Sequence, residues 1–225
     1  MRCLPLSLTP APPRPRSLLL ISTLLVVAFT GAALAREFAM PPLRPAAQMS
    51  VHFVDTHEHV GIGAESYDTP AQAAIFHSKM LEHGVLPVLV VFTNESDYPI
   101  VLDELRFRLV TRDRAKASPY TLDDLQRVFT AIRAPHSRPQ DNLPLPTPGR
   151  NKPHGFMPRE DYDELKRAIF HSRTVEPHSS VYGFLFFDVT DLPNPSRGAR
   201  LYAEGLQDAG GRELMYFELE LAPQR

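Results

Sequence analysis

Hydrophobic and polar positions divide the chain into segments of different period. From Val51 to about Ala64, β-branched and small residues run without a helical stripe and predict extended chain. Thr69 as cap and Pro70 in a first turn predict a short helix over Ala71–His83, stopping at Gly84. Val85 to Phe92 (VLPVLVVF) is apolar at both alternating positions, the pattern of a strand buried on both faces, with Pro87 at its beginning. Asn94 to Asp97 is a polar turn. Leu105, Phe107 and Leu109 then alternate with Glu104, Arg106 and Arg108, which predicts a half-exposed antiparallel strand forming a hairpin-like pair with the preceding one.

The period changes in the middle. Thr121 and Asp124 make a capping-box-like start, and Leu122, Leu125, Val128, Phe129 and Ile132 form one helical stripe. Seven prolines between Pro135 and Pro158 then exclude sheet interior and predict an extended surface loop. Pro158–Leu165 has room for a helical turn or two, and Ala168–Val175 is extended again. Val181–Val189 (VYGFLFFDV) is aromatic-rich and apolar on both faces. Ala199–Leu206 and Glu213–Leu221 flank a Gly-rich turn at 207–211 and predict a terminal hairpin. Its inward face would be Met215, Phe217, Leu219 and Leu221, with Glu218 and Glu220 outward. Strands at both ends and helices in the middle predict a mainly β, antiparallel sandwich over 51–221, with a helical and Pro-rich insertion at about 113–165.

The first 35 residues have a grammar of their own. Arg2, Arg14 and Arg16 precede an uncharged apolar run from Ser17 to Ala35, which ends in Ala33-Leu34-Ala35. Basic segment, apolar segment and small-residue exit predict a secretory signal peptide over 1–35, and residues 36–50 then read as a flexible tether. The rival is a retained anchor, since Leu18–Ala35 reaches the ~17–25 residues of a spanning helix. Export to a periplasmic or extracellular location is the expectation, with membrane contact only through this segment if it is uncleaved. Cys3, the one cysteine, lies inside it, so the remaining chain has no disulfide and no Cys-ligated metal. Arg36 after the exit is not the cysteine that a lipoprotein requires. Without residues 1–35 the balance is 21 basic against 26 acidic, which argues against a nucleic-acid footprint.

Three pieces, GVLPVLVVFTNESDYPI (84–100), VEPHSSVYGFLFFDV (175–189) and ARLYAEGLQDAGGRELMYFELEL (199–221), resemble uncharacterised bacterial exported immunoglobulin-like domains, telokin-like in type. The resemblance rests on these three pieces. It departs at His178, where a glycine is common, and in the middle insertion. It implies an adhesive, scaffolding or accessory module whose partner is another protein or an envelope component, with no enzyme activity and no cofactor.

Candidate chemistry is sparse. In Asp55-Thr56-His57-Glu58-His59, two histidines at i and i+2 on a strand would share a face and hold one metal ion, with His52 as a third donor. VDTHEH also looks like the first-strand metal motif of the amidohydrolases, but that barrel needs about 250 residues and alternating β/α order, which this chain lacks. The function expected is therefore a non-catalytic binding domain, with an extracytoplasmic metal-binding protein using His57 and His59 as the alternative. Gly61-Ile62-Gly63 predicts a bulge or turn. Asp161, Asp163 and Glu164 alternate with Arg159, Lys166 and Arg167 as on a solvated face. Asn94-Glu95-Ser96 matches an N-glycosylation acceptor, and the aromatics of 181–189 and 215–217 are expected in the core.

Overall fold

The computed structural model describes residues 38–133, 157–190, 192 and 194–222. The chain separates into Met1–Glu37 and Phe38–Arg225, and the description concerns the second. Its strands are β1 (Val51–Asp55), β2 (Val60–Ser66), β3 (Val85–Asn94), β4 (Ile100–Val101), β5 (Arg106–Val110), β6 (Lys116–Ala117), β7 (Thr174–Val175), β8 (Ser179–Asp188), β9 (Arg200–Glu204) and β10 (Phe217–Glu220). The helices are α1 (Pro70–Ala73), α2 (Leu122–Arg133) and α3 (Arg159–Ala168). All strand pairs are antiparallel, in one sheet ordered β1-β2-β3-β8, a second ordered β10-β9-β5-β6, and the small pair β4-β7. The protein is mainly β, with few helices. Among the described residues no helix is long and apolar enough to cross a membrane.

Every residue of β3 is buried, as its two-faced apolar pattern predicts. Leu86, Val88, Val90 and Phe92, with Leu185 and Phe187 of β8, share a cluster with Leu109, Leu201, Phe217 and Leu219 of the second sheet. Val85, Leu89 and Val91, with Phe184 and Phe186, face the opposite way. They pack with Leu125 and Phe129 of α2, Leu165 and Ala168 of α3, and Phe76 and Met80. The first sheet is thus a middle layer, covered by the second sheet on one face and by helices on the other. Pro87 fits inside β3 because its carbonyl accepts from the Tyr67 amide. Its nitrogen therefore faces the β2 side, where pairing has already ended at Ser66–Val88.

The capping box forms as read: Thr121 Oγ1 accepts from the Asp124 amide at 3.2 Å, and Asp124 Oδ2 accepts from the Thr121 amide at 3.0 Å. Several expectations are corrected. β3 and β5 are not a hairpin; they lie in different sheets, β3 paired with β2 and β8, and β5 with β6 and β9. The helix after Thr69 ends at Ala73, because the chain turns to bury Phe76 and to bring the His77 amide onto Glu164. Conversely, α3 runs for ten residues, longer than a turn or two. The strand-like stretch 51–64 is itself a hairpin of β1 and β2.

Nor is 38–50 a tether. Phe38, Ala46 and Met49 are buried, Phe38 stacks on Phe76, and the Arg167 guanidinium lies over the Phe38 ring. Gly61 and Gly63 explain how this segment lies down. They stand inside β2, not in a turn, and a Cβ on Gly63 would meet Met49 Cγ at 2.5 Å. The Pro-rich loop expected around 133–158 falls largely outside the described residues.

Gly183 has a similar part on β8. Phe170 crosses it closely, with its amide donating to the Phe184 carbonyl at 2.9 Å, and a Cβ on Gly183 would sit 2.6 Å from the Phe170 Cα. Because the obstacle is backbone, Gly183→Ala is expected to lower stability by about 2 kcal/mol. Urea unfolding checks this: the midpoint should fall with an unchanged slope.

Candidate functional site

At one end of the two sheets, three connections meet: the β1–β2 turn, the β3–β4 loop and the β9–β10 loop. Each is set by local turn chemistry. Asp55 Oδ1 accepts from the His57 amide at 2.7 Å and the Glu58 amide at 2.9 Å, closing a tight turn with His59 at φ 56°. Asp208 Oδ1 likewise accepts from the Gly210 amide at 2.8 Å and the Arg212 amide at 2.9 Å. In the middle loop the organiser is Asn94, fully buried at the end of β3. Its Nδ2 donates to the carbonyls of Tyr98 at 2.6 Å and Val175 at 3.1 Å, while its Oδ1 accepts from the Ser96 amide at 2.9 Å.

Two interactions join the loops. The Glu95 amide donates to the His59 carbonyl at 2.8 Å. The Arg212 guanidinium clamps Glu58 with both terminal nitrogens at 3.1 and 3.0 Å, and its Nε reaches Asp208 at 3.0 Å. Between them lies a cleft of about 470 Å³ lined by His57, Glu58, His59, Glu95, Asp97, Tyr98 and Arg212. Tyr98 is 69% exposed, and Asp97 pairs with His178 of the β7–β8 turn at 3.0 Å. Carboxylates outnumber the one arginine on the rim.

The residues singled out in the sequence fall in different places. His57 and His59 do reach this cleft, but on a turn, so no strand period places them on one face. His52 is on β1, with Nδ1 2.7 Å from the Met49 carbonyl oxygen. Among the described residues no group of three His, Cys, Asp or Glu side chains is arranged to hold a metal ion. The Asn94 amide is buried and donates to two carbonyls, so in the folded chain it is closed to glycan attachment. The 161–164 acids are not all solvated: Glu164 is 1% exposed and accepts from the His77 amide at 3.0 and 3.3 Å and pairs with the His77 ring. That pair fastens α3 to the segment after α1. Met215 and Tyr216 are exposed, unlike the core aromatics of β8, whereas Phe217, Leu219 and Leu221 are inward as read.

No family model, curated protein or solved structure matches the chain.

Sequence reasoning missed the Glu58–Arg212 clamp, because its partners are 154 positions apart and neither has a motif around it. The Asp208 turn was marked by its Asp-Ala-Gly-Gly run.

Two expected outcomes test this architecture. Asn94→Asp keeps the shape but aims a carboxylate at two carbonyls, and should cost about 3 kcal/mol in denaturant unfolding. The second concerns pH. The Glu58 and His57 amides hold the Asp55 carboxyl below its ordinary 3.8, and the Arg212 amide and guanidinium do the same for Asp208. A depressed folded pKa means that the turns' contribution is complete above the ordinary carboxylate range and is lost as pH falls through the lowered values. NMR titration should show the Glu58 and Gly210 amides moving with midpoints below 3.8; ordinary midpoints would refute the bracing.

Proposed function

We propose that the region from Phe38 onward is an immunoglobulin-like module of an exported chain, and that it binds another protein or an envelope component through the three-loop end. The observation that carries this reading is the convergence of three separate connections on one braced cleft beside an exposed tyrosine. Loops fixed to a rigid pair of sheets are the usual carriers of recognition, and tyrosine supplies contact area with little rotamer entropy to lose.

The immunoglobulin-like assignment draws support from strand order. In that plan strands A, B and E share one sheet, and G, F and C share the other, with C′ beside C in the variable type. Taking β2, β3, β5, β6, β8, β9 and β10 as A, B, C, C′, E, F and G in chain order gives β2-β3-β8 and β10-β9-β5-β6, the neighbours observed. β1 and the β4–β7 pair are then additions. On this assignment the loops at 95–98 and 205–216 are the B–C and F–G connections, which lie together at one end of such a sandwich. His178, standing where related turns favour glycine, has φ 51°, the left-handed conformation that glycine adopts most easily. The non-catalytic reading is supported by Ser96, the aliphatic hydroxyl that lines the cleft. Its Oγ lies 2.6 Å from Asn94 Oδ1 and 2.9 Å from the Tyr98 carbonyl oxygen, so it holds the loop.

The test is a photo-crosslinking residue introduced at Tyr98 in exporting cells, with Lys79 on the helix side as control. A discrete adduct from position 98 and none from 79 is expected. No adduct at 98, or the same adduct from both positions, would remove this end as the binding surface.

A further inference from the structure

Alternation along the second sheet sends Leu109, Leu201, Ala203, Phe217 and Leu219 to the core. The other face is open: no helix packs on it among the described residues, and its charges are sorted across the strand order β10-β9-β5-β6. Lys116 on β6 and Arg106 and Arg108 on β5 are positive. Glu218 and Glu220 on β10 are negative. β9 between them carries Arg200 and Glu204, one of each sign. A groove of about 680 Å³ crosses this face, and Val110, Tyr202, Met215 and Tyr216 supply its apolar wall.

Met215 is the anomaly. Its parity with Phe217 and Leu219 would place it inward, yet it is 44% exposed, and Tyr216 beside it is 60% exposed. Two adjacent large apolar side chains turned to solvent, in a groove flanked by opposite charges, mark a contact surface.

We infer that this face pairs with the same face of a second copy of the chain, about a two-fold axis in the interface parallel to the strands. Such an axis exchanges left and right across the sheet. The anionic β10 flank of each copy then meets the cationic β5–β6 flank of the other, and the Met215–Tyr216 wall next to β10 is carried to the same contact. A two-fold axis perpendicular to the strands would stack β10 on β10 and repel. The ion pairs within one copy, Arg200–Glu218 at 2.9 Å, Arg106–Glu104 at 3.6 Å and Arg108–Glu204 at 3.8 Å, are exposed and so weak that they leave these charges available.

The sorted charges permit a test by exchange of sign. The protein exported by a host from the full 225-residue chain is followed by sedimentation over a concentration series at low and high salt. Self-association that weakens with salt is expected. Arg108→Glu/Lys116→Glu makes both flanks negative, and Glu218→Lys/Glu220→Lys makes both positive. Each should dimerise at least tenfold more weakly alone, while an equimolar mixture of the two should restore the dimer at both contacts. Circular dichroism checks that these exposed substitutions leave the fold intact. Tyr216→Ser, which touches no charge, should weaken the dimer by itself, and Tyr98→Ala at the loop end should not. A wild-type chain that stays monomeric at every concentration overturns the inference. So does a dimer indifferent to the reversals and to Tyr216→Ser, or a mixture that fails to pair.

Discussion

Burial of the β3–β8 pair on both faces is the constraint from which the rest of the architecture follows. A strand that is apolar at every position cannot lie against water on either side, so the sheet containing it needs two covers. The second sheet provides one. The other is assembled from pieces distant in the chain: α2, α3, the turn holding Phe76 and Met80, and the segment beginning at Phe38. None of these is long enough to be stable alone. Each is held by what it buries against Leu89, Val91, Phe184 and Phe186. The helices are therefore a third layer of the structure and not an ornament inserted into a sandwich.

The same constraint leaves the exposed polar side chains to the ends and the outer sheet. With the middle sheet sealed, polar chemistry collects where the strands stop. There the loops are stiffened by side chains that bond backbone amides, Asp55 and Asp208 from outside and Asn94 from within. The Arg212–Glu58 clamp then ties the first hairpin to the last. Most of these bonds are local, and the buried Asn94 roots the middle loop in the end of β3, which leaves Tyr98 and the neighbouring acids exposed on a firm base.

What could be read from the sequence depended on whether the signal was local. The two-faced run VLPVLVVF, the Thr121 capping box, the alternation in 217–221 and the Asp208 turn are all written within ten residues, and each appears as read. Long-range facts were not legible. The alternation of 105–109 identifies a half-exposed strand but contains nothing about its partner, so pairing with β9 across nearly a hundred residues was replaced by the nearer choice, β3. Glu164 was read as solvated because its helical neighbours are charged; its burial depends on His77, 87 positions away. His57 and His59 were placed on a strand because nothing in the residue types distinguishes a strand from the Asp55-capped turn within it. Gly61 and Gly63 read locally as a bulge or turn, whereas in the fold they let Ala46 and Met49 approach β2.

One consequence of β3 belongs to the life of the chain before it is folded. Its inner partner β2 is already made when β3 emerges, but its other neighbour runs from Ser179 to Asp188, so Val85 must wait for a residue 103 positions later. Throughout that interval a ten-residue, uncharged, β-prone segment has one edge and both faces without cover, which is the composition that seeds intermolecular strand pairing. Pro87 is the one residue in it that cannot donate to a neighbouring strand, but its nitrogen faces the β2 side, so the edge that waits for β8 is not interrupted by it. The segment stays open to such pairing until residues 179–188 have been made, so the hazard lies in the order of synthesis rather than in the finished fold.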